Sequence, residues 1–368
     1  MTPSPAALHA AVAEVLATLQ TAFHSALHDT LTHLTAAATS TTSTTTTTPR
    51  HPLRRASPWS TPTLLDHLLT SPLQHTASLL YRHVLLPLRG PRPFRPPRHR
   101  APIRVVCLSD THGILPAHVP PGDVLVHCGD LSRDGSRDEI QRQVDWMRGL
   151  EGFAGGKVLV GGNHDAWLDP RVRGDGEGEV DFTGVEYLCD RMVQLRFEGG
   201  RRLNVYGWGT VPWCGEGFAY QYPREKHPWA GRIPDETDIL VTHTPPAHHC
   251  DNGLGCAGLL EEVWRVKPKL HVFGHVHVGH GREAVYFDEC QRAYETLMAK
   301  PGMGFWYDCM PSRRWLDGLN MLRYGIGSIL WKWIMAGPGS NNGGLMVNAA
   351  VMYKDSGTLR NPVTVVDL

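Results

Sequence analysis

Five short polar clusters carry residue types that metal chemistry uses. They are Asp110 and His112 in Ser-Asp-Thr-His, Asp130 in Cys-Gly-Asp, Asn163, His164 and Asp165 in Gly-Gly-Asn-His-Asp, His243 in Thr-His-Thr-Pro-Pro, and His275 and His277 in Gly-His-Val-His. Imidazole and carboxylate together suit Mn, Fe, Zn, Co or Ni, and no thiolate is required. In Asp-Thr-His and His-Val-His the spacing is i, i+2. Where a strand unwinds, two such side chains can turn the same way and reach one centre. A lone Asp-x-His or Gly-Asp carries almost no information. The succession of all five does.

The elements that must position them are legible just upstream. Apolar runs rich in β-branched residues occupy 103–108, 124–127, 158–160, 239–241 and 270–273, and one cluster follows each. In α/β sheets, ligands bind at the carboxyl ends of strands. The five clusters are therefore expected on one rim. Further runs at 203–206, 345–347 and 363–366 read as strands, and 138–150 has helical spacing through Ile140, Val144 and Met147. The pattern predicts an α/β fold, a layered β-sandwich flanked by helices.

In this order the clusters resemble the calcineurin-like metallophosphoesterases, whose pattern is Asp-x-His, Gly-Asp, Gly-Asn-His-Glu/Asp, His, then Gly-His-x-His. The resemblance covers about 104–282 and 344–368. The segments GDVLVHCGD, YGWGTVPWCGEGFAYQYP, ILVTHTPP and KPKLHVFGHVHVGHG resemble the metallophosphoesterase-domain (MPPED) subfamily. The resemblance implies two divalent transition metal ions. Asp110, His112 and His277 would hold one, Asn163, His243 and His275 the other, and Asp130 would bridge them. A shared anion offsets the repulsion of two dications roughly 3.5–4 Å apart. A hydroxide between them would attack phosphorus, with His164 stabilising charge or protonating the leaving alkoxide. A carboxylate usually orients this His. Some relatives place one where this chain has Arg133, so Asp134 or Asp165 is expected to substitute.

The implied reaction is hydrolysis of a small phosphoester, and the MPPED resemblance favours a phosphodiester such as a cyclic nucleotide. A phosphomonoesterase or protein phosphatase is the alternative enzyme, and a non-catalytic scaffold keeping the fold is the alternative of another class. The aromatic stretch 206–223 could stack a flat group, with Trp208 and Trp213 as candidates, and His280, three residues past a ligand, is a further substrate-binding candidate.

Composition bounds the rest. The 368 residues carry 36 Lys+Arg and 36 Asp+Glu, so no global basic field favours nucleic acid. No CxxC pair occurs among the eight Cys, and at this size reduced, intracellular thiols are expected. The first ten residues lack Lys and Arg, which argues against a signal peptide, and a cytoplasmic protein is expected. Domain organisation reads as a helical extension over 1–38, a Ser/Thr-rich linker over 39–60, a Leu-rich then Pro/Arg-rich segment over 61–100, and the catalytic domain over 101–368. Residues 1–100 hold none of the clusters and are expected to be dispensable for chemistry. An aromatic-rich insertion at 283–343, helical over 283–300, reads first as a lid or dimer surface. The second reading is peripheral membrane contact through an interfacial helix.

Overall fold

The computed structural model describes residues 54–90, 93–94, 101–173, 178–334 and 343–368. The helix expected over 6–38, the Ser/Thr tract at 39–48 and much of the Pro/Arg-rich stretch lie outside these residues. The chain divides into two units, Phe94–Val285 with Asn342–Leu368, and Met1–Pro93 with Tyr286–Asn341.

The larger unit contains two large sheets and a two-stranded one, Val211–Pro212 with Gln221–Tyr222. One large sheet orders its strands Thr364–Asp367, Arg104–Leu108, Val124–His127, Gly156–Leu159 and Glu186–Tyr187, parallel except for the first. The other runs Gly281–Val285, Gly344–Asn348, Leu270–Phe273, Ile239–Thr242, Arg202–Trp208 and Arg191–Arg196, parallel with an antiparallel strand at each edge. Alternate residues point to opposite faces of a strand. Val105, Cys107, Val124, Val126 and Val158 accordingly share one buried cluster with Val205, Val241, Val272 and Val347 of the second sheet. Their neighbours Val106, Leu108, Leu125 and Leu159 pack on Ile140, Val144 and Met147. Those three line the inner face of the helix Arg137–Gly149, capped by Ser136 and acidic in its first turn. Burial on both faces is why the strands read as continuous apolar runs. The layered α/β architecture matches the sequence reading.

The edge strand Arg191–Arg196 was not legible, because charges at its ends mask it. The strand Gly281–Val285 corrects the insertion boundary. Its buried Ala284 and Val285 complete the second sheet, and the helix expected over 283–300 spans Glu289–Met298 only, capped by Asp288.

The smaller unit is helical: Leu64–Thr70, Pro72–Leu80 continuing to Arg89, Glu289–Met298, Phe305–Asp308 and Arg313–Ile334. Ala77, Tyr81, Leu85, Tyr294, Leu297 and Met321 form its core, with the Tyr81 and Tyr294 rings stacked at 4.0 Å. The Leu-rich segment and the insertion thus build one core between them. Among the described residues no helix is long and apolar enough to cross a membrane.

Candidate metal centre

Three of the five strand ends deliver their residues through a sharp backbone turn. Asp110, His112, Asp130 and His275 all have φ between 44° and 65°, the left-handed region that costs a non-glycine residue on the order of 1 kcal/mol. Two glycines permit the loops to meet. A Cβ on Gly162 would lie 2.3 Å from Asp130 Oδ1, and one on Gly274 would lie 2.1 Å from Asp110 Oδ2.

The turns bring seven expected ligands and His164 together. His277 Nε2 lies 3.3 Å from Asp110 Oδ1 and 3.2 Å from His112 Nε2. His243 Nε2 lies 3.0 Å from Asn163 Oδ1 and 3.3 Å from Asp130 Oδ2, and His112 Nε2 is 3.7 Å from the same oxygen. The His243 and His275 rings are 5.0 Å apart. Three donor groups result: Asp110–His112–His277, His112–Asp130–His164 and Asp130–His243–His275. They overlap through His112 and Asp130. Backbone N–H groups orient the carboxylates: His275 donates to both oxygens of Asp110, at 3.0 Å each, and His164 donates to Asp130 Oδ1 at 2.8 Å.

The donor set fits divalent transition metals. His243 Nδ1 donates to the Cys128 carbonyl and His277 Nδ1 to the Lys354 carbonyl, both at 2.7 Å. A carbonyl only accepts, so in the neutral rings Nε2 carries the lone pair, turned toward other donors of the cluster. Closely apposed lone pairs and two buried carboxylates call for positive charge between them.

The electrostatics point the same way. Burial pulls His243 down, but the Asp130 carboxylate outweighs it and the ring is held up at about 9. Burial likewise opposes a rise to about 9 at His277, where the hydrogen bond with Asp110 prevails. Burial alone dominates at His275, held down at about 3. Burial raises Asp110 and Asp130, yet His277 holds the first and His243 the second well below the carboxylate range.

The candidates to orient His164 sit elsewhere. Asp134 is exposed and accepts the Ser136 N–H in the turn before the helix. Asp165 is fully buried. It accepts the N–H of Leu131 and Gly162 on Oδ2, and the N–H and hydroxyl of Ser132 on Oδ1, at 2.8–3.2 Å. Its four donors occupy it as a tie between the Asp130 and Asn163 loops. The His164 ring instead lies edge-on to His112 at 4.7 Å and to Phe218 at 4.9 Å.

The expected substrate-binding residues lie on three different neighbours. Trp208 packs on the buried Trp229 ring at 5.1 Å, with the Arg232 guanidinium 5.7 Å from its ring. Trp213 is exposed, and His280 Nε2 lies 3.1 Å from the Pro362 carbonyl. Phe218 is the aromatic of that stretch set against His164. The aromatic run signalled the loop but not which ring turns inward. The Cys128 and Lys354 carbonyls left no sequence signal, since any residue supplies one.

Strand ends carrying a His/Asp/Asn donor cluster, on paired sheets flanked by helices, define the class as that of α/β proteins with a candidate metal site. The chain belongs to the calcineurin-like phosphoesterase family, whose profile matches residues 103–279. A UPF0046 protein of Caenorhabditis elegans is 33% identical over 257 residues, which is 59% of this chain and 85% of that protein. Human metallophosphoesterase domain-containing protein 1 is 32% identical over 223 residues, covering 52% of this chain and 65% of that one. Probable rhamnogalacturonate lyase C of Emericella nidulans is 41% identical over 202 residues, 53% of this chain. This chain spans only 19% of that lyase's length. The family binds divalent metals, and the donor groups above are where this chain can hold them.

Proposed function

We propose that the chain hydrolyses a small phosphodiester at a two-metal centre. The observation that carries this reading is the overlap of the donor groups through Asp130 and His112, which suits two adjacent cations better than one. Asp110, His112 and His277 would hold the first ion, Asn163, His243 and His275 the second, with Asp130 shared. Bound ions would supply Lewis-acid charge to the phosphoryl oxygens and acidify the attacking water. His164, backbone-anchored to Asp130, faces the same space. It would stabilise charge on the phosphoryl group or give a proton to the leaving oxygen. Phe218 packs against the same ring and would offer an apolar surface to an organic ester group. One such surface suits the organic group of a monoester as well as that of a diester; the resemblance to the MPPED subfamily is what favours the diester.

Steady-state hydrolysis of bis(p-nitrophenyl) phosphate against p-nitrophenyl phosphate, with each divalent metal supplied, tests the reading. A higher kcat/KM for the diester is expected. Preference for the monoester would reassign the substrate class. Metal-loaded protein inert to both would leave a binding scaffold.

A further inference from the structure

The helix Arg313–Ile334 is apolar on two opposite faces. One face is buried in its own unit, where Met321 is 1% exposed and Gly325 passes against Leu85 and Cys290. The opposite face is open: Leu316, Ile326, Leu330, Trp331 and Ile334 are 52–72% exposed. On the neighbouring short helix Trp306 is 81% exposed, its ring edge-on to Phe305. A monomeric soluble surface rarely leaves so many large apolar side chains open along one helix.

We propose that this face lies on a lipid bilayer with anionic headgroups. The helix is not apolar enough to cross a membrane, whereas an interfacial helix needs only one apolar face and aromatic residues that tolerate the headgroup boundary. Charge selects the lipid. From Gly318 to Ile334 there is no acidic residue, and the exposed Arg323 is the basic side chain beside the open face, Lys332 being turned inward to the Arg89 carbonyl. The unit as a whole carries twelve Lys/Arg against eight Asp/Glu, while the catalytic unit carries the opposite balance, 24 against 28. A second copy on this face would bring two like-charged units together, whereas an anionic bilayer complements the charge. An apolar cavity of about 450 Å³ at the start of the same helix, lined by Leu73, Leu80, Trp315, Leu319 and Met321, has room for part of an acyl chain.

The full chain should co-sediment with phosphatidylcholine vesicles containing phosphatidylserine. Binding to phosphatidylcholine alone should be at least about tenfold weaker. Brominated acyl chains should quench tryptophan emission in the bound protein. Leu330→Ser/Trp331→Ser/Ile334→Ser should reduce vesicle binding at least about tenfold with an unchanged thermal unfolding profile. These side chains are exposed, so their replacement leaves the core intact, and Trp306→Ser should weaken binding independently. Absence of binding to either vesicle, or a triple variant that binds as wild type, overturns the proposal. So does a wild-type dimer that the triple variant converts to monomer, which would assign the face to self-association.

Discussion

His243 directs Nδ1 at the carbonyl oxygen of Cys128, 2.7 Å away. Cys128 precedes the Gly129–Asp130 turn, so this bond ties the end of the Ile239–Thr242 strand to the loop carrying Asp130. It also fixes which ring nitrogen faces Asn163 and Asp130. A backbone atom thereby chooses the tautomer that a metal ligand needs.

His164→Ala should lower kcat by roughly 10²–10⁴-fold while metal content stays constant, because its ring sits beside the cluster and can act on the transition state. An alkyl phosphodiester should suffer more than an aryl one, whose leaving group needs little protonation. Equal losses for both would leave electrostatic stabilisation as the role. A parallel fall in metal content, read by elemental analysis, would make His164 a ligand or support.

Asp165→Asn should weaken metal affinity by about 10–100-fold, since the tie between the Asp130 and Asn163 loops turns an amide NH2 against N–H donors. Metal titration of stripped protein measures this. An unchanged affinity would show that the loops hold their geometry without Asp165.

Acid should destabilise the protein through His271. Burial, reinforced by the His249 charge, holds its ring down at about 3, from an ordinary 6.5. Its Nε2 lies 2.8 Å from Thr242 Oγ1, whose own proton goes to the Thr244 carbonyl, so Nε2 carries the hydrogen and buried Nδ1 has no partner. The unfolded chain takes up this proton below 6.5, and the folded chain resists until about 3. Stability is thus full above pH 6.5 and falls as pH drops toward 3, by up to about 1.4 kcal/mol per unit. Denaturant titrations at matched metal content should give His271→Gln a shallower slope between pH 6.5 and 5. Equal slopes would exclude this source.

Removing residues 1–53 should leave the helical unit stable. Removing 1–94 should not, because Tyr294, Leu297 and Met321, each at most 1% exposed, lose partners in Pro72–Leu80 and its continuation. Each exposed side chain of this size forfeits roughly 1.5–3 kcal/mol. Calorimetry of the two truncations should show the unit's transition retained in the first and lost in the second. Equal thermograms would contradict the shared core. This concerns the folding of the helical unit, and the expectation that residues 1–100 are dispensable for chemistry is a separate one.

The rim was legible because its chemistry is sequential. Asp110–His112 and His275–His277 are i, i+2 pairs directly after runs such as 270–273 that only buried strands explain. What escaped was set by tertiary placement. Asp165 sits next to His164 in sequence yet turns to Leu131, Ser132 and Gly162, because its four donors lie across the fold. Trp208 and Phe218 share one aromatic stretch, and only tertiary packing sets the first against Trp229 and the second against His164. The union of 64–89 with 289–334 joins segments about 200 residues apart, beyond the reach of any local pattern.

Elemental analysis of wild type and Asp130→Asn, purified under identical metal supply, tests the central assignment most directly. Two metal ions per chain are expected in the wild type, with occupancy at both positions reduced in the variant because one carboxylate serves both. Full two-metal loading of Asp130→Asn would contradict a shared Asp130.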